Sequence, residues 1–193
     1  QASCIEGCLY TAGRGKFSNV QTARQRKAEW FYRDRVGFMK QLYHDIQKFS
    51  NYCKKRGIQP CVRLNGTTDI RWELIPAMPH NKMNIFQEFP EVQFYDYTKI
   101  PNRKVADYPN YHLTWSYSSA NPKYEELFWD VIRKGMSVAV VFRKPINMTT
   151  WRGYKVVDGD KDDLRFLDPQ SSIVALYAKG AAKHDSTGFV QDI

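Results

Sequence analysis

Six short runs of apolar and aromatic residues, roughly 20 to 30 residues apart, constrain the fold of this chain most strongly. The runs cover residues 61–64, 92–95, 111–115, 137–142, 154–157 and 173–177. Helical stretches fit between several of them, as around Tyr124 to Arg133. Strands joined by crossover helices run parallel. The sequence therefore predicts an α/β fold with a largely parallel sheet.

The length of 193 residues fits one domain with a substantial core. We expect a single domain over residues 1–193. It has a cysteine-bearing loop at 1–17, a helical segment at 20–56, β/α units at 60–180 and a tail at 183–193.

The helical segment is the longest predicted element. Apolar residues recur at spacings of three, four and seven, which predicts one buried stripe; they are Phe31, Phe38, Leu42, Ile46, Phe49 and Cys53. Gly57 suits the left-handed turn that ends a helix. Gly37 lies inside the pattern and either divides it into two helices or marks a close packing contact.

Polar residues follow several of the predicted strands. Because ligands gather at the carboxyl ends of parallel strands, these residues are candidates for a binding pocket. With Arg14 from a basic loop, the candidates are Arg14, Asn65, Asp69, Glu73, Asp96, Lys99, Asp158 and Lys179. The competing interpretation is ordinary polar loops with local salt bridges.

Cys4 and Cys8 are the candidate metal ligands. On a helix, residues four apart lie about 5–6 Å from one another, so two thiolates could bind one metal centre. An iron–sulfur cluster accepts such ligands, and so does tetrahedral zinc. Further ligands could be Cys53 and Cys61, which are alternatively buried thiols, or could precede Gln1.

The net charge of +9 favours contact with a polyanion, and Lys and Arg are interleaved with aromatic residues between Arg14 and Arg56. A nucleic-acid-binding module is therefore a second hypothesis.

No apolar run approaches the roughly 20 residues that span a bilayer, and no secretory signal is visible. We expect a soluble intracellular protein with no membrane partner.

Several enzyme classes lack their sequence signatures here. There is no Gly-x-Gly-x-x-Gly, no phosphate-binding loop and no Gly-x-Ser-x-Gly. The four histidines form no metal-binding pair, and the acidic run from Asp158 to Asp163 lacks the spacing of a calcium loop.

Blocks of sequence along nearly the whole chain resemble the phage gene product eighty-eight family. They cover residues 8–15, 63–70, 94–99, 158–160 and 179–180. The resemblance implies a phage-encoded protein of largely unknown function, located in the cytoplasm of the infected host cell. It also implies an N-terminal cysteine cluster and a partial (β/α) barrel, TIM-like and related to iron–sulfur folds of the radical-SAM kind.

The leading hypothesis is therefore an iron–sulfur protein, with Cys4 and Cys8 binding a 4Fe-4S cluster. It would perform redox or radical chemistry on a small molecule or nucleotide at the carboxyl ends of the strands. Radical-SAM enzymes use Cys-x3-Cys-x2-Cys, and Thr11 stands at the third position, which argues against S-adenosylmethionine as a cofactor. A nucleic-acid-binding or zinc-stabilised, host-modulating protein without catalysis is the alternative.

Overall fold

The computed structural model describes residues 12–145 and 147–193. The described residues form four α-helices: α1 Ser18–Arg33, α2 Arg35–Arg56, α3 Ile85–Glu88 and α4 Lys123–Arg133. They also form eight strands: β1 Cys61–Val62, β2 Gln93–Thr98, β3 Tyr111–Ser116, β4 Val138–Phe142, β5 Thr150–Trp151, β6 Tyr154–Asp158, β7 Ile173–Tyr177 and β8 Val190–Gln191. The six predicted strands are confirmed, and so is the predicted helix after β3.

The sheet has the strand order β1-β2-β3-β4-β7-β6-β5, and β8 pairs with β4 outside this path. β4 pairs in parallel with β3, β7 and β8, and β6 pairs in parallel with β7. Only the pair of β5 and β6 is antiparallel among the described pairs. A mostly parallel α/β sheet is therefore confirmed. The sheet is not closed, and β7 rather than β5 lies beside β4, so the predicted TIM-like barrel is not shown.

The chain divides into two compact units. The helical unit comprises residues 17–95 and 103–112, and the sheet unit contains residues 96–102 and 113–193 together with 12–16. No helix among the described residues is long and apolar enough to cross a membrane.

The predicted long helix of the helical unit is two helices that meet at Asp34. The Asp34 carboxylate accepts a hydrogen bond from the Gly37 N–H at 2.8 Å and caps α2. A Cβ atom at position 37 would lie 2.1 Å from Asp34 Oδ2, so glycine permits this cap. α2 ends as predicted at Gly57, whose φ is 65°.

The buried face of the two helices differs in part from the predicted stripe. Phe31, Ile46 and Cys53 are buried as predicted, but Phe49 is 39% exposed. Met39, which the pattern left out, is buried instead. Elsewhere in this unit the ring of Phe86 stacks on Tyr111 at 3.9 Å.

The core of the sheet unit is rich in aromatic residues. Trp115, Phe128, Val140 and Ile173 are fully buried, and α4 supplies part of this cluster. The predicted tail 183–193 contains β8, which pairs with the end of β4.

β5 and β6 form a hairpin that the sequence did not predict. Its two turn residues, Arg152 and Gly153, have φ values of 51° and 84°. Two successive positive φ values define the type I′ turn, which usually carries Asn-Gly. Arginine is unusual in the first position, and here its side chain bonds Glu125 and lies over the Trp151 ring.

Candidate functional site

Cys4 and Cys8, the candidate metal ligands, lie outside the described residues. Arg14 lies in a short 3-10 turn, Gly13–Lys16, and its side chain is exposed.

Asn65 holds the loop that follows β1. Its Oδ1 atom accepts hydrogen bonds from Thr68 Oγ1 at 2.8 Å, from the Ile70 N–H at 3.0 Å and from Trp72 Nε1 at 3.1 Å. Asn65 is 2% exposed. These bonds fix the loop, so its amide acts here as a structural group.

Glu73 forms a buried ion pair with Arg103. Arg103 Nε donates to Glu73 Oε1 at 3.0 Å, and Arg103 Nη2 donates to Glu73 Oε2. Tyr111 Oη lies 3.0 Å from the same Nη2 atom, and Asp69 Oδ1 lies 3.5 Å from Nη1. Glu73 and Asp69 therefore lie together around Arg103, an arginine that no sequence motif pointed to.

Lys99 follows β2 in the sheet unit, and its ammonium group donates hydrogen bonds to two backbone carbonyls. Its Nζ donates to the Ser116 carbonyl at 2.8 Å and to the Tyr117 carbonyl at 3.1 Å. The ammonium also lies 5.0 Å from the centre of the Phe189 ring. Lys99 thus joins the segment after β2 to the end of β3.

Asp158 and Lys179 lie in one small polar network through Asp160. Asp158 Oδ1 accepts from the Asp160 N–H at 3.0 Å, and Lys179 Nζ lies 2.6 Å from Asp160 Oδ1. Asp96 lies inside β2 rather than after it, because β2 continues to Thr98, and it is 1% exposed. Within the sheet unit, the structure therefore groups Asp158 with Lys179.

The sheet unit contains a second polar cluster, which the sequence did not predict. Arg152 Nη1 donates to Glu125 Oε1 at 2.5 Å, and Tyr117 Oη donates to Glu125 Oε2 at 2.7 Å. The guanidinium carbon lies 4.3 Å from the centre of the Trp151 ring. Burial and the bond to Glu125 raise the pKa of Tyr117 to about 12. These contacts account for an arginine with positive φ.

The most basic part of the chain is the pair of consecutive helices α1 and α2, which Asp34 separates. Residues 18–56 contain ten Lys and Arg against three Asp and Glu, an excess of seven out of the chain's nine. All ten basic side chains are exposed; they are Arg24, Arg26, Lys27, Arg33, Arg35, Lys40, Lys48, Lys54, Lys55 and Arg56. We call these residues the basic hairpin.

The three acidic residues of the two helices do not neutralise the basic hairpin. Glu29 accepts from Gln25 at 3.0 Å, Asp45 accepts from Gln41 at 2.8 Å, and Asp34 caps α2. Within residues 12–145 and 147–193, none of the ten basic residues forms an ion pair. The positive charge of this surface is therefore available to a ligand.

The described part of the chain contains no group of three or more His, Cys, Asp or Glu placed to hold a metal ion. Cys53 is buried and Cys61 is half-buried, and both are free thiols. Burial raises the pKa of Cys61, and the nearby Cys53 raises it further. A raised pKa disfavours the thiolate that binds metals.

Fold and charge distribution together define a mixed α/β protein with a mostly parallel sheet and two consecutive helices rich in exposed basic residues. The chain belongs to the phage Gene product 88 family, whose model matches residues 1–193. The predicted family is thus confirmed, while the iron–sulfur chemistry attached to it gains no support from this match. The curated proteins and the solved structures contain no significant match to the chain.

Proposed function

We propose that this phage protein binds nucleic acid through the basic hairpin. The observation that carries the proposal is that α1, α2 and Asp34 between them contain ten exposed basic residues but three acidic ones, and that none of those three forms an ion pair with the ten. Each phosphate that a Lys or Arg neutralises releases counterions, which drives binding to a polyanion.

The distribution of charge favours a localised interface over a generally basic protein. Outside residues 18–56 the chain has 19 Lys and Arg and 17 Asp and Glu, so it is close to neutral there. A concentration of positive charge attracts a polyanion to that part of the protein.

The exposure of α1 supports the same proposal. Every residue from Arg24 to Trp30 is exposed, so this part of the helix has solvent on all sides. A helix that is polar all round gains little from core packing. A polyanion along α1 would supply the contacts that this segment lacks.

The test is fluorescence anisotropy with labelled DNA and RNA at low salt. The hairpin variant replaces four exposed basic residues by glutamine: R26Q/R33Q/K48Q/K55Q. The control removes the same charge from exposed lysines elsewhere: K82Q/K104Q/K155Q/K183Q. We expect the hairpin variant to lose most of its affinity and the control to retain it. Equal loss in both variants, or no binding by the wild type, would overturn the proposal, as would tighter binding to anionic lipid vesicles.

A second candidate function rests on the cysteines. The spacing of Cys4 and Cys8 favours an iron–sulfur cluster, with zinc as the alternative metal. The carboxyl ends of β6 and β7 carry the Asp158, Asp160 and Lys179 network, where a small molecule or nucleotide could bind for redox chemistry. The partial-barrel interpretation belongs to this candidate.

Iron and zinc analysis of anaerobically purified protein tests this second candidate. Iron with visible absorbance that is lost in Cys4→Ser and Cys8→Ser, but kept in Cys61→Ser, would support it. Protein without iron or colour would contradict the cluster, and bound zinc would favour the structural alternative.

A further inference from the structure

We infer that the preferred ligand of the basic hairpin is single-stranded nucleic acid, whose bases stack on Trp30 and Tyr52. This inference rests on the proposed function and names the substrate class of the same surface.

Each helix of the hairpin carries the same pattern of side chains. In α1 the residues are Arg26, Trp30 and Arg33, and in α2 they are Lys48, Tyr52 and Lys55. Both sets have the spacing i, i+4, i+7, which places the three side chains on one face of a helix. Each aromatic ring is therefore flanked by a cation on either side along its helix.

Both rings are available to a ligand. Trp30 is 40% exposed and Tyr52 is 49% exposed, whereas Trp72 of the same unit is buried. The Trp30 ring meets Phe38 at an interplanar angle of 72°, which helps to fix its orientation. The two helices also expose Tyr32 and Phe49, but only Trp30 and Tyr52 have basic residues at both the i−4 and i+3 positions of their own helix.

Tyr52 already has a cation on one face. The Arg56 guanidinium lies 4.5 Å from the centre of its ring. A base would stack on the opposite face, with the guanidinium adding a cation–π contact from behind.

Exposed aromatic rings discriminate between single strands and duplexes. Lys and Arg neutralise phosphates in either form, but the faces of duplex bases are already stacked on one another. Only an unpaired base can present a free face to a side chain. The two rings should therefore raise the affinity for single strands alone.

The experiment compares binding of the full chain to a single strand of about 20 nucleotides, as DNA and as RNA, with binding to the matching duplex. The variants are Trp30→Ala and Tyr52→Ala, with Tyr52→Phe as the conservative variant and Leu167→Ala as an exposed apolar control. We expect each alanine variant to weaken single-strand binding about tenfold and to leave duplex binding unchanged. Tyr52→Phe and Leu167→Ala should bind like the wild type. The comparison of DNA with RNA shows which single strand is preferred, because only RNA offers the 2′-hydroxyl.

The outcomes separate this inference from the proposed function. Equal affinity for duplex and single strand, with loss only in R26Q/R33Q/K48Q/K55Q, would keep the proposed function and overturn the stacking. Absence of binding to every oligonucleotide would overturn both. Circular dichroism checks the helices of each variant. If Trp30→Ala loses helix content, the result for Tyr52→Ala alone tests the stacking. The only described ring or cation–π contact of Tyr52 is with Arg56, so this substitution should leave the helices intact.

Discussion

The guanidinium of Arg103 and the carboxylate of Glu73 form an ion pair with side-chain exposures of 0% and 1%. The two residues are 30 positions apart and join the loop after β2 to the 3-10 turn Trp72–Leu74. Because both charges are removed from water, each depends on the other for its stabilisation.

Removing one partner of this pair should destabilise the protein strongly. We expect Arg103→Ala to lower the free energy of unfolding by about 3–5 kcal/mol, because the buried Glu73 carboxylate would lose its two hydrogen bonds to Arg103 and keep only the exposed Arg71 nearby. Arg71→Ala is the control, since Arg71 lies 3.5 Å from the same carboxylate but is 44% exposed; its cost should be below about 1 kcal/mol. Urea unfolding measures both, and similar costs for the two variants would contradict this role of Arg103.

Gly159 should not tolerate a side chain. A Cβ atom there would lie 2.5 Å from Val174 Cγ1 and 2.9 Å from the Ala175 carbonyl oxygen. We expect Gly159→Ala to destabilise the protein by about 1–3 kcal/mol, because β7 lies directly against it. Gly66→Ala is the matched control, as no atom lies within 4 Å of its Cβ position. Thermal unfolding measures both variants. Equal melting temperatures for Gly159→Ala and Gly66→Ala would contradict the close approach of β7 to Gly159.

Tyr117 should ionise only in strongly alkaline solution. Burial and its bond to Glu125 raise the pKa of Tyr117 to about 12. An unfolded tyrosine ionises near pH 10. The folded state therefore holds this proton longer, and stability should fall between about pH 10 and 12.

Ultraviolet titration measures the ionisation of Tyr117 directly. Subtracting the curve of Tyr117→Phe from that of the wild type should leave one step near pH 12. The variant should also show a weaker decline in stability over this pH range. A difference step centred near pH 10 would show that the bond to Glu125 does not hold the proton.

The thiols Cys53 and Cys61 should react slowly in the folded protein. Cys53 is 1% exposed, and burial raises the pKa of Cys61. Alkylation proceeds through the thiolate, so both residues should be modified far more slowly than in urea. Peptide mass spectrometry after a timed exposure to iodoacetamide measures each residue separately. Rates for Cys61 that match those in urea would contradict its placement.

The strands of the sheet could be predicted because their signal is local. The run at Ile173 to Tyr177 is apolar and β-branched, and β7 has those bounds. The helix end at Gly57 was equally visible, since only a residue that accepts positive φ suits that turn. The position of β7 beside β4 could not be predicted, because the spacing of strands does not determine their order.

The break between α1 and α2 was visible only in part. The sequence suggested a break in the helix at Gly37, but the break lies at Asp34. The Asp34 carboxylate occupies the space that a side chain at position 37 would fill. The predicted stripe also included Phe49, whereas the buried face of α2 is formed by Met39, Ile46, Ser50 and Cys53.

The polar sites depended on contacts between distant residues. Asp69 and Glu73 were selected by their position after β1, but Arg103, which binds them, has no local motif. Arg152 lies in a turn without the usual Asn-Gly signal, so the hairpin of β5 and β6 was missed as well.

The salt dependence of binding tests the central claim most directly. For wild type, the logarithm of the association constant for a labelled single strand should fall linearly with the logarithm of salt concentration. Since each phosphate contact adds about 0.7–0.9 to that slope, R26Q/R33Q/K48Q/K55Q should flatten it by about three, and K82Q/K104Q/K155Q/K183Q should leave it unchanged. A slope that is the same in the wild type and the hairpin variant would show that the basic hairpin does not bind nucleic acid.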